Sequence, residues 1–487
     1  MTKNNQPLHN FLAHKKTYYA LVFLLCIVSR IVTSIFYVED IDSLRFALSI
    51  YDYDLNKIQP HFPGYPIFCF FVKLLYFFTG SISHSFSLIG GLSTYLIILF
   101  CSKIFSVKLN SSSGVFLSSV IFFNPIIWLM GNRYMPDLFG LAITTIILCL
   151  LVRYNNSISS IYTGFFLSGA LLGIRLSYFP MVIFILIYTL IRKKDIRHIS
   201  ILSFFLGVVI WLIPLISLTG FENFMVIAKN HTLGHFYDYG GSIITDNDLN
   251  KRVIRLIESI WSDGMAGYWI GRSWKTLIIS FFLILLLLIG LFETIKNIKF
   301  EKSLKLIFLC TLLYLLWIFL FQNIIYKSRH ILPILLFIFL LFNHGYEYFL
   351  EKNKSISKIS LFVFIIFLSQ ITFRLNYQHK NFTAIAKLKN YVEGNANIST
   401  ILSTPLINNY LKSNRIKKNF VNLTEINEVE NFIKSEEKSS SLMIGGFQNV
   451  LDNEFDFTKD SVFYHNPYMN RSWAVIETFQ IMRKYFE

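Results

Sequence analysis

Apolar residues are gathered in runs of about 15 to 21 residues that recur along the chain as far as residue 373. A helix needs about 20 apolar residues to cross a membrane, so these runs predict about eleven spans. The pattern repeats at no fixed period, which indicates neither a solenoid nor an inverted-repeat transporter. The spans are predicted at residues 18–38, 86–105, 114–130, 138–152, 161–174, 178–191, 201–218, 276–292, 304–321, 331–348 and 356–373.

The apolar stretch at residues 67–78 is left out of this count. It is only about 12 residues long, prolines precede it and Lys73 interrupts it, so it is too short for a span. Short helices with a large apolar face lie in the plane of the membrane surface. We therefore expect residues 67–78 to form an interfacial helix on the outer leaflet.

The basic residues fall in short loops between the apolar runs rather than in one patch. Cytoplasmic loops of membrane proteins are enriched in Lys and Arg, and with residues 67–78 excluded every second loop is basic. This alternation places the basic loops inside and the segment from Glu39 onwards outside the cytoplasm. Membrane topology thereby explains the formal net charge of +16, and no nucleic-acid partner is expected.

The composition is typical of a multi-pass protein of the cell membrane, since 54% of the residues are hydrophobic and only 15% are charged. From residue 374 onwards the composition becomes that of a soluble domain. We predict a polytopic α-helical membrane domain at residues 1–373 and a small extracytoplasmic α/β domain at residues 374–487. The β-prone and helical runs of the tail alternate: 398–402, 405–413, 419–423, 425–435 and 441–444.

The predicted outer loops are longer and more varied than the inner ones, which favours a functional site outside the cytoplasm. The first outer loop covers residues 39–85. The longest covers residues 220–275 and has the length of a mobile lid.

Carboxylates and cations gather at the outer boundary of the predicted spans. Asp40 and Asp42 follow the first span, and Asp137 comes from a different one. Arg175 interrupts an apolar region of about 30 residues, where a charge is costly unless an anion lies beside it. Two interpretations stay open: a site for an anionic ligand, or structural ion pairs and anchors to phospholipid head groups. The other cations on this side are Lys327, Arg329 and His330.

His231 and His235 have the i, i+4 spacing that on a helix would face a metal ion. Gly234 lies between them, and Gly240 and Gly241 follow, so the sequence indicates a loop. We expect no metal site at these residues.

The order of these motifs resembles the GT-C superfamily of membrane glycosyltransferases, which includes protein O-mannosyltransferases and lipid A aminoarabinose transferases. In those families an acidic motif follows the first span and a His-Pro-Pro-like element begins a juxtamembrane helix. An Asp closes the second outer loop, and an Arg-aromatic-Leu-Pro element opens a later span. The matching residues here are Asp42 after Asp40, the segment His61 to Pro66, Asp137, and Arg329 followed by His330.

The resemblance implies an inverting transfer of a sugar from a polyprenyl-phosphate donor, on the extracytoplasmic side, to a lipid, glycan or protein acceptor. It implies that Asp42 is the catalytic base and that Asp137 belongs to the site. Many relatives have Asp-Glu where this chain has Asp42-Ser43, so Asp40 and Asp42 can exchange roles.

The resemblance further implies that Arg175, Arg329 and His330 bind the donor phosphate, with His61 and Tyr65 binding substrate or supporting the site. It requires no cofactor, and a loosely held divalent cation at the carboxylates is compatible with it.

Two other functional classes also use many spans and inward-facing charges. They are a transporter or lipid flippase, and a non-catalytic membrane scaffold. Transporters concentrate ionisable groups near the middle of the bilayer, whereas these charges lie at one boundary. The placement of the charges favours the transferase.

Overall fold

The computed structural model of the protein describes residues 6–298, 301–434, 441–451 and 455–483. The chain forms two compact units. The first comprises Met1–Ile35 and Leu48–Tyr377, and the second comprises Phe36–Ala47 and Gln378–Glu487. The short segment after the first helix therefore belongs with the C-terminal residues.

Helices α1 to α16 follow one another from residue 6 to residue 379. A 3-10 helix, Ser328–Ile334, leads into α15, and π-helical turns at Cys149–Arg153 and Ser259–Gly264 extend α7 and α12. The bounds are α1 Gln6–Val32, α2 Ile41–Tyr51, α3 Pro66–Thr79, α4 Ile82–Ile104, α5 Ser112–Phe122, α6 Pro125–Asn132, α7 Asp137–Leu148, α8 Ile158–Arg175, α9 Pro180–Arg192, α10 Arg197–Thr219, α11 Phe221–Tyr237, α12 Leu249–Glu258, α13 Lys275–Ile298, α14 Lys302–Phe321, α15 Leu335–Lys352 and α16 Lys354–His379.

The apolar helices make the chain a multi-pass membrane protein. Within the described ranges, seven helices are long and apolar enough to cross a membrane, and an eighth span results if α5 and α6, bent by 54°, are counted as one. Every span predicted from the sequence overlaps a helix. The total of eleven stays a prediction, because α7 and α9 have only 12 and 13 residues.

The first predicted span is wrong at its end. It was expected to reach residue 38, but α1 ends at Val32 and residues 33–40 are irregular. Side chains from the end of α6 and from the loop after it bind the carbonyl groups that a longer helix would use. The Asn132 amide donates to the Thr33 carbonyl at 2.8 Å, and the Tyr134 hydroxyl donates to the Ile35 carbonyl at 2.6 Å.

Helix α3 is the short apolar helix expected at residues 67–78. It has 14 residues, with Pro66 at its start and Gly80, at φ 60°, at its end. Phe68 and Val72 are buried, whereas Phe77 and Phe78 on the other side are exposed. An exposed aromatic face on a helix too short to span is typical of a helix in the membrane surface. Its location at the outer leaflet stays a prediction.

Helices α8 and α10 approach each other closely through glycines. A Cβ atom at Gly169 would lie 2.1 Å from the Phe204 carbonyl oxygen, and one at Gly207 would lie 2.0 Å from the Phe166 carbonyl oxygen. Such contacts are available only to residues without a side chain. The close contact fixes α8, whose last residue is Arg175.

The second unit contains a five-stranded sheet in the order β2-β1-β3-β5-β4. Strand β1 is parallel to β2 and β3, whereas β5 is antiparallel to β3 and β4. Its core includes Leu402, Met443 and Ile481. The elements are α17 Ala384–Gly394, β1 Thr400–Ser403, α18 Pro405–Ser413, β2 Asn419–Asn422, α19 Ile426–Lys434, β3 Ser441–Ile444, β4 Phe455–Tyr464 and β5 Val475–Arg483.

The α/β class predicted for the tail is confirmed, and its predicted strands and helices correspond to β1, α18, β2, α19 and β3. Residue 435, the predicted end of α19, lies outside the described residues. The sequence did not predict the hairpin of β4 and β5. Strand β4 is largely exposed and carries Asp456, Lys459 and Asp460, so it lacks the apolar run that marks a buried strand.

The topology predicts which engineered cysteines a membrane-impermeant maleimide reaches. Lys57→Cys is expected to react in intact cells, and Lys193→Cys only after permeabilisation, because the first is predicted to lie in an outer loop and the second in an inner loop. Both side chains are exposed. The wild-type protein is the control, since its five cysteines are all buried. Labelling of Lys193→Cys in intact cells would contradict the topology.

Candidate active site

A buried ion pair joins Asp137 to Arg175 in the first unit. The distance from the Arg175 Nη2 atom to the Asp137 Oδ1 atom is 2.8 Å. Asp137 is the first residue of α7 and Arg175 the last residue of α8, so each charge lies at the helix end that favours it. The side chain of Asp137 is fully buried, and 7% of the Arg175 side chain is exposed. Asp137 is thus the anion that was expected beside Arg175.

Gly140 allows the two helices to bring this pair together. A Cβ atom at Gly140 would lie 2.6 Å from the Arg175 Cβ atom, closer than two carbon atoms can pack. Gly140 lies one turn of α7 after Asp137, so the two residues are on the same face of the helix. This face presents the carboxylate and leaves room for the Arg175 side chain.

Gly140→Ala is therefore expected to displace Arg175 and to lower stability by about 1 to 3 kcal/mol. The melting temperature of the purified protein in detergent measures this change. Gly394→Ala is the matched control, because outside its own helix and chain neighbours no atom of the described residues lies within 4 Å of a Cβ there. Equal melting temperatures for the two variants would contradict the packing described at Gly140.

A second guanidinium group lies close to the same carboxylate. The Arg329 Nε atom is 3.7 Å from the Asp137 Oδ1 atom, and Arg329 is also buried. It belongs to the 3-10 helix Ser328–Ile334, which the Tyr314 hydroxyl holds by donating to the His330 carbonyl at 2.9 Å. Two buried guanidinium groups thus lie within 4 Å of one carboxylate oxygen, and guanidinium groups are well suited to bind phosphate.

The segment His61 to Pro66 contributes a hydroxyl and an imidazole to this cluster. The Arg175 Nη1 atom donates to the Tyr65 hydroxyl at 3.2 Å, and the same hydroxyl is 3.0 Å from the His61 Nε2 atom. Because the guanidinium can only donate, the hydroxyl accepts from Arg175 and is able to donate to His61. A turn closed by the Gly64 amide and the His61 carbonyl, at 2.9 Å, brings both side chains to Arg175.

The loop predicted around His231 and His235 is wrong, because both residues lie in α11. Gly234 does not break the helix: it is buried, and the ring of Tyr239 packs where its side chain would be. The His231 ring stacks on His61 with centroids 5.5 Å apart, and the His235 Nε2 atom is 3.0 Å from the Phe321 carbonyl oxygen.

Burial lowers the pKa of His235, which favours the neutral imidazole at neutral pH. Across the described ranges of the chain, no group of three His, Cys, Asp or Glu residues is arranged to hold a metal ion.

The acidic segment after α1, residues 39–42, belongs to the second unit. Its two aspartates differ in what they bind. The Asp40 Oδ1 atom accepts the Ser43 amide at 2.8 Å, so Asp40 caps α2. Asp42 lies in the first turn of α2, 3.7 Å from the Arg45 Nη1 atom. Both aspartates are buried.

Residues of the C-terminal part surround the same segment. The Glu39 Oε2 atom and the His379 Nε2 atom form a buried hydrogen bond. The Asn470 amide is 3.2 Å from Glu39 Oε1 and 3.5 Å from Asp40 Oδ2. Burial raises the pKa of Tyr410, and the nearby Asp40 and Glu39 charges raise it further, so its hydroxyl remains a donor.

Compared by sequence, the chain matches no protein-family model and no curated protein. Compared by structure, it is similar to ArnT from Cupriavidus metallidurans bound to undecaprenyl phosphate. The identity is 9% and the TM-score 0.54, over 95% of this chain and 97% of that chain. ArnT is a GT-C enzyme. The chain has a GT-C-like fold.

The apo structure of the same ArnT gives a similar result, with 9% identity and a TM-score of 0.52 over 97% of this chain and 98% of that one. This confirms the fold expected from the order of the motifs. The GT-C-like fold thus extends over nearly the whole chain, including the C-terminal part.

Within the GT-C-like chain, the first unit brings together Asp137, Arg175, Arg329, Tyr65 and His61. The second unit contains Asp40 and Asp42. The roles of these residues stay predictions. His379, Asn470 and Tyr410 were not predicted, because no motif marks the polar residues of a tail that contact a segment more than 300 positions earlier in the sequence.

Proposed function

We propose that the chain is an inverting glycosyltransferase that moves a sugar from a polyprenyl-phosphate donor to an acceptor on the extracytoplasmic side of the cell membrane. The observation that carries the proposal is the buried pair of Arg175 and Arg329 around Asp137, in a chain with a GT-C-like fold. The ArnT structure with the same fold contains undecaprenyl phosphate. A phosphate is an anion that buried guanidinium groups recognise.

The proposed role of the arginines is to stabilise the leaving group. As the bond between the anomeric carbon and the phosphate oxygen breaks, its electron pair stays on the phosphate and negative charge develops there. Arg175 and Arg329 donate hydrogen bonds to those oxygen atoms, and His330, the residue after Arg329, is the third proposed contact of the phosphate. Asp137 and Tyr65 hold Arg175 in place for this contact, since each binds one of its terminal nitrogen atoms.

The proposed base is Asp42. The acceptor hydroxyl loses its proton to this carboxylate while its oxygen attacks the anomeric carbon from the face opposite the phosphate, so the configuration inverts. Asp40 is the weaker choice of base because one of its oxygen atoms caps α2.

We further propose that the transfer requires no metal ion. Asp137 already has Arg175 at 2.8 Å and Arg329 at 3.7 Å, and these cations would repel a divalent ion. Turnover is therefore expected to be unchanged after dialysis against EDTA. Loss of turnover that Mg²⁺ or Mn²⁺ restores would contradict this proposal.

The function is tested by incubating the purified protein with undecaprenyl-phosphate-linked sugars and a membrane lipid extract. Mass spectrometry then follows the donor and the released undecaprenyl phosphate. The wild-type protein is expected to consume one donor and release undecaprenyl phosphate. Movement of intact donor across a vesicle membrane would instead support a flippase, and neither cleavage nor movement would support a scaffold.

A further inference from the structure

The backbone of the acidic segment is held by side chains that come from the end of the chain. The Tyr410 hydroxyl donates to the Val38 carbonyl at 2.8 Å, and the Thr383 hydroxyl donates to the Glu39 carbonyl at 3.1 Å. These two carbonyl groups lie in irregular backbone just before α2, where no helix supplies them with donors. The C-terminal residues therefore determine how the chain enters α2.

The carboxylates of the segment are held in the same way. His379 pairs with Glu39, and the Asn470 amide reaches both Glu39 and Asp40. All four side chains are buried, where an unpaired carboxylate would be costly. Three carboxylates within four residues repel one another, so the segment needs these donors to keep its conformation.

Asn470 is itself held by a further contact. The His465 Nδ1 atom accepts the Ala384 amide at 3.0 Å, which leaves the proton on Nε2, and Nε2 donates to the Asn470 carbonyl at 2.8 Å. Ala384 begins α17 and follows Thr383 directly. Hydrogen bonds and adjacent residues thus connect these side chains in a closed ring, which runs from Glu39 through Thr383, His465 and Asn470 back to Glu39.

We infer that the C-terminal residues of the second unit hold the base in position, with Asn470, Tyr410 and His379 as the positioning residues. The inference rests on the proposed function, in which Asp42 takes the acceptor proton. Asp42 is two residues beyond Asp40, in the first turn of the helix that Asp40 caps. A shift of the segment therefore moves the base, and a displacement of about 1 Å at a reacting group lowers a rate by about 100-fold.

The test measures kcat and the donor KM for Asn470→Ala and Tyr410→Phe in the full-length protein. Both variants are expected to lower kcat by about 10- to 100-fold and to leave the donor KM unchanged, because the donor phosphate is bound by other residues. Tyr410→Phe removes one hydroxyl and keeps the ring, so it preserves the packing. Lys459→Ala is the control: Lys459 is exposed, lies in the same unit and pairs with Glu477 at 2.7 Å.

Amide hydrogen exchange of residues 36–47 provides a second measurement that does not depend on activity. Exchange is expected to be faster in both variants than in wild type and unchanged in Lys459→Ala. Wild-type kcat and wild-type exchange in both variants would overturn the inference and leave the proposed function intact. Absence of turnover in wild type, with faster exchange in the variants, would instead refute the function and keep the positioning contacts.

Discussion

Asp42→Asn is expected to lower turnover by about 10²- to 10⁴-fold, the range that a general base contributes. The amide has nearly the shape of the carboxylate but cannot take the acceptor proton. The contact with Arg45 at 3.7 Å weakens, and Asn remains a residue of the first turn of α2, so the fold is expected to persist. The measurement is kcat for donor consumption, with the melting temperature as a check on folding.

Asp40→Asn is the matched comparison for this prediction. An asparagine caps a helix about as well as an aspartate, so the bond to the Ser43 amide is retained. We expect kcat of this variant to fall by less than about 10-fold, because Asp40 is proposed to position the base and not to take the proton itself. The reverse order, with Asp40→Asn inactive and Asp42→Asn active, would show that Asp40 is the base.

Arg175→Met has the second large expected effect, on both stability and turnover. It leaves Asp137 buried without its nearest partner, and breaking a buried ion pair on one side costs about 3 to 5 kcal/mol. It also removes a cation from the leaving phosphate, and loss of one such donor lowers kcat by about 10²- to 10³-fold.

The double variant Arg175→Met/Asp137→Asn separates these two effects. Because the buried carboxylate charge is removed together with Arg175, stability is expected to recover part of the loss, and the rest remains because Arg329 also loses the carboxylate 3.7 Å away. Turnover is expected to stay low, because the phosphate still lacks its cation. Melting temperature and kcat are measured on the same preparations. Recovery of both would mean that Arg175 serves only to neutralise Asp137.

The membrane part of the fold could be predicted because the bilayer imposes a length and a polarity on each span. The ends of the helices were less predictable, as α1 shows. The side chains of Asn132 and Tyr134 bind backbone carbonyl groups of the residues that follow α1, where the sequence predicted more helix. Helix α11 passes through Gly234 because the Tyr239 ring packs against that glycine. Neither contact has a local signal, since each depends on residues brought together by tertiary packing.

The candidate site was predictable to a different extent in its two parts. Asp137 and Arg175 were expected on one side of the membrane from the alternation of the basic loops, and Arg175 was expected to need an anion because it interrupts an apolar region; the two form an ion pair. The acidic segment was visible as a cluster of carboxylates. Its partners His379 and Asn470 were not, since a histidine and an asparagine in a polar tail have no pattern that distinguishes them from surface residues.

The anomeric configuration of the transferred sugar is the most direct test of the account. With a donor labelled with ¹³C at the anomeric carbon, NMR spectroscopy follows the signal while wild-type protein and membrane acceptors are present. We predict that the donor signal is replaced by one product of opposite configuration as undecaprenyl phosphate is released, and that Asp42→Asn leaves the donor signal unchanged. A product of retained configuration, or a donor that stays intact with wild-type protein, would contradict inverting transfer from a polyprenyl phosphate.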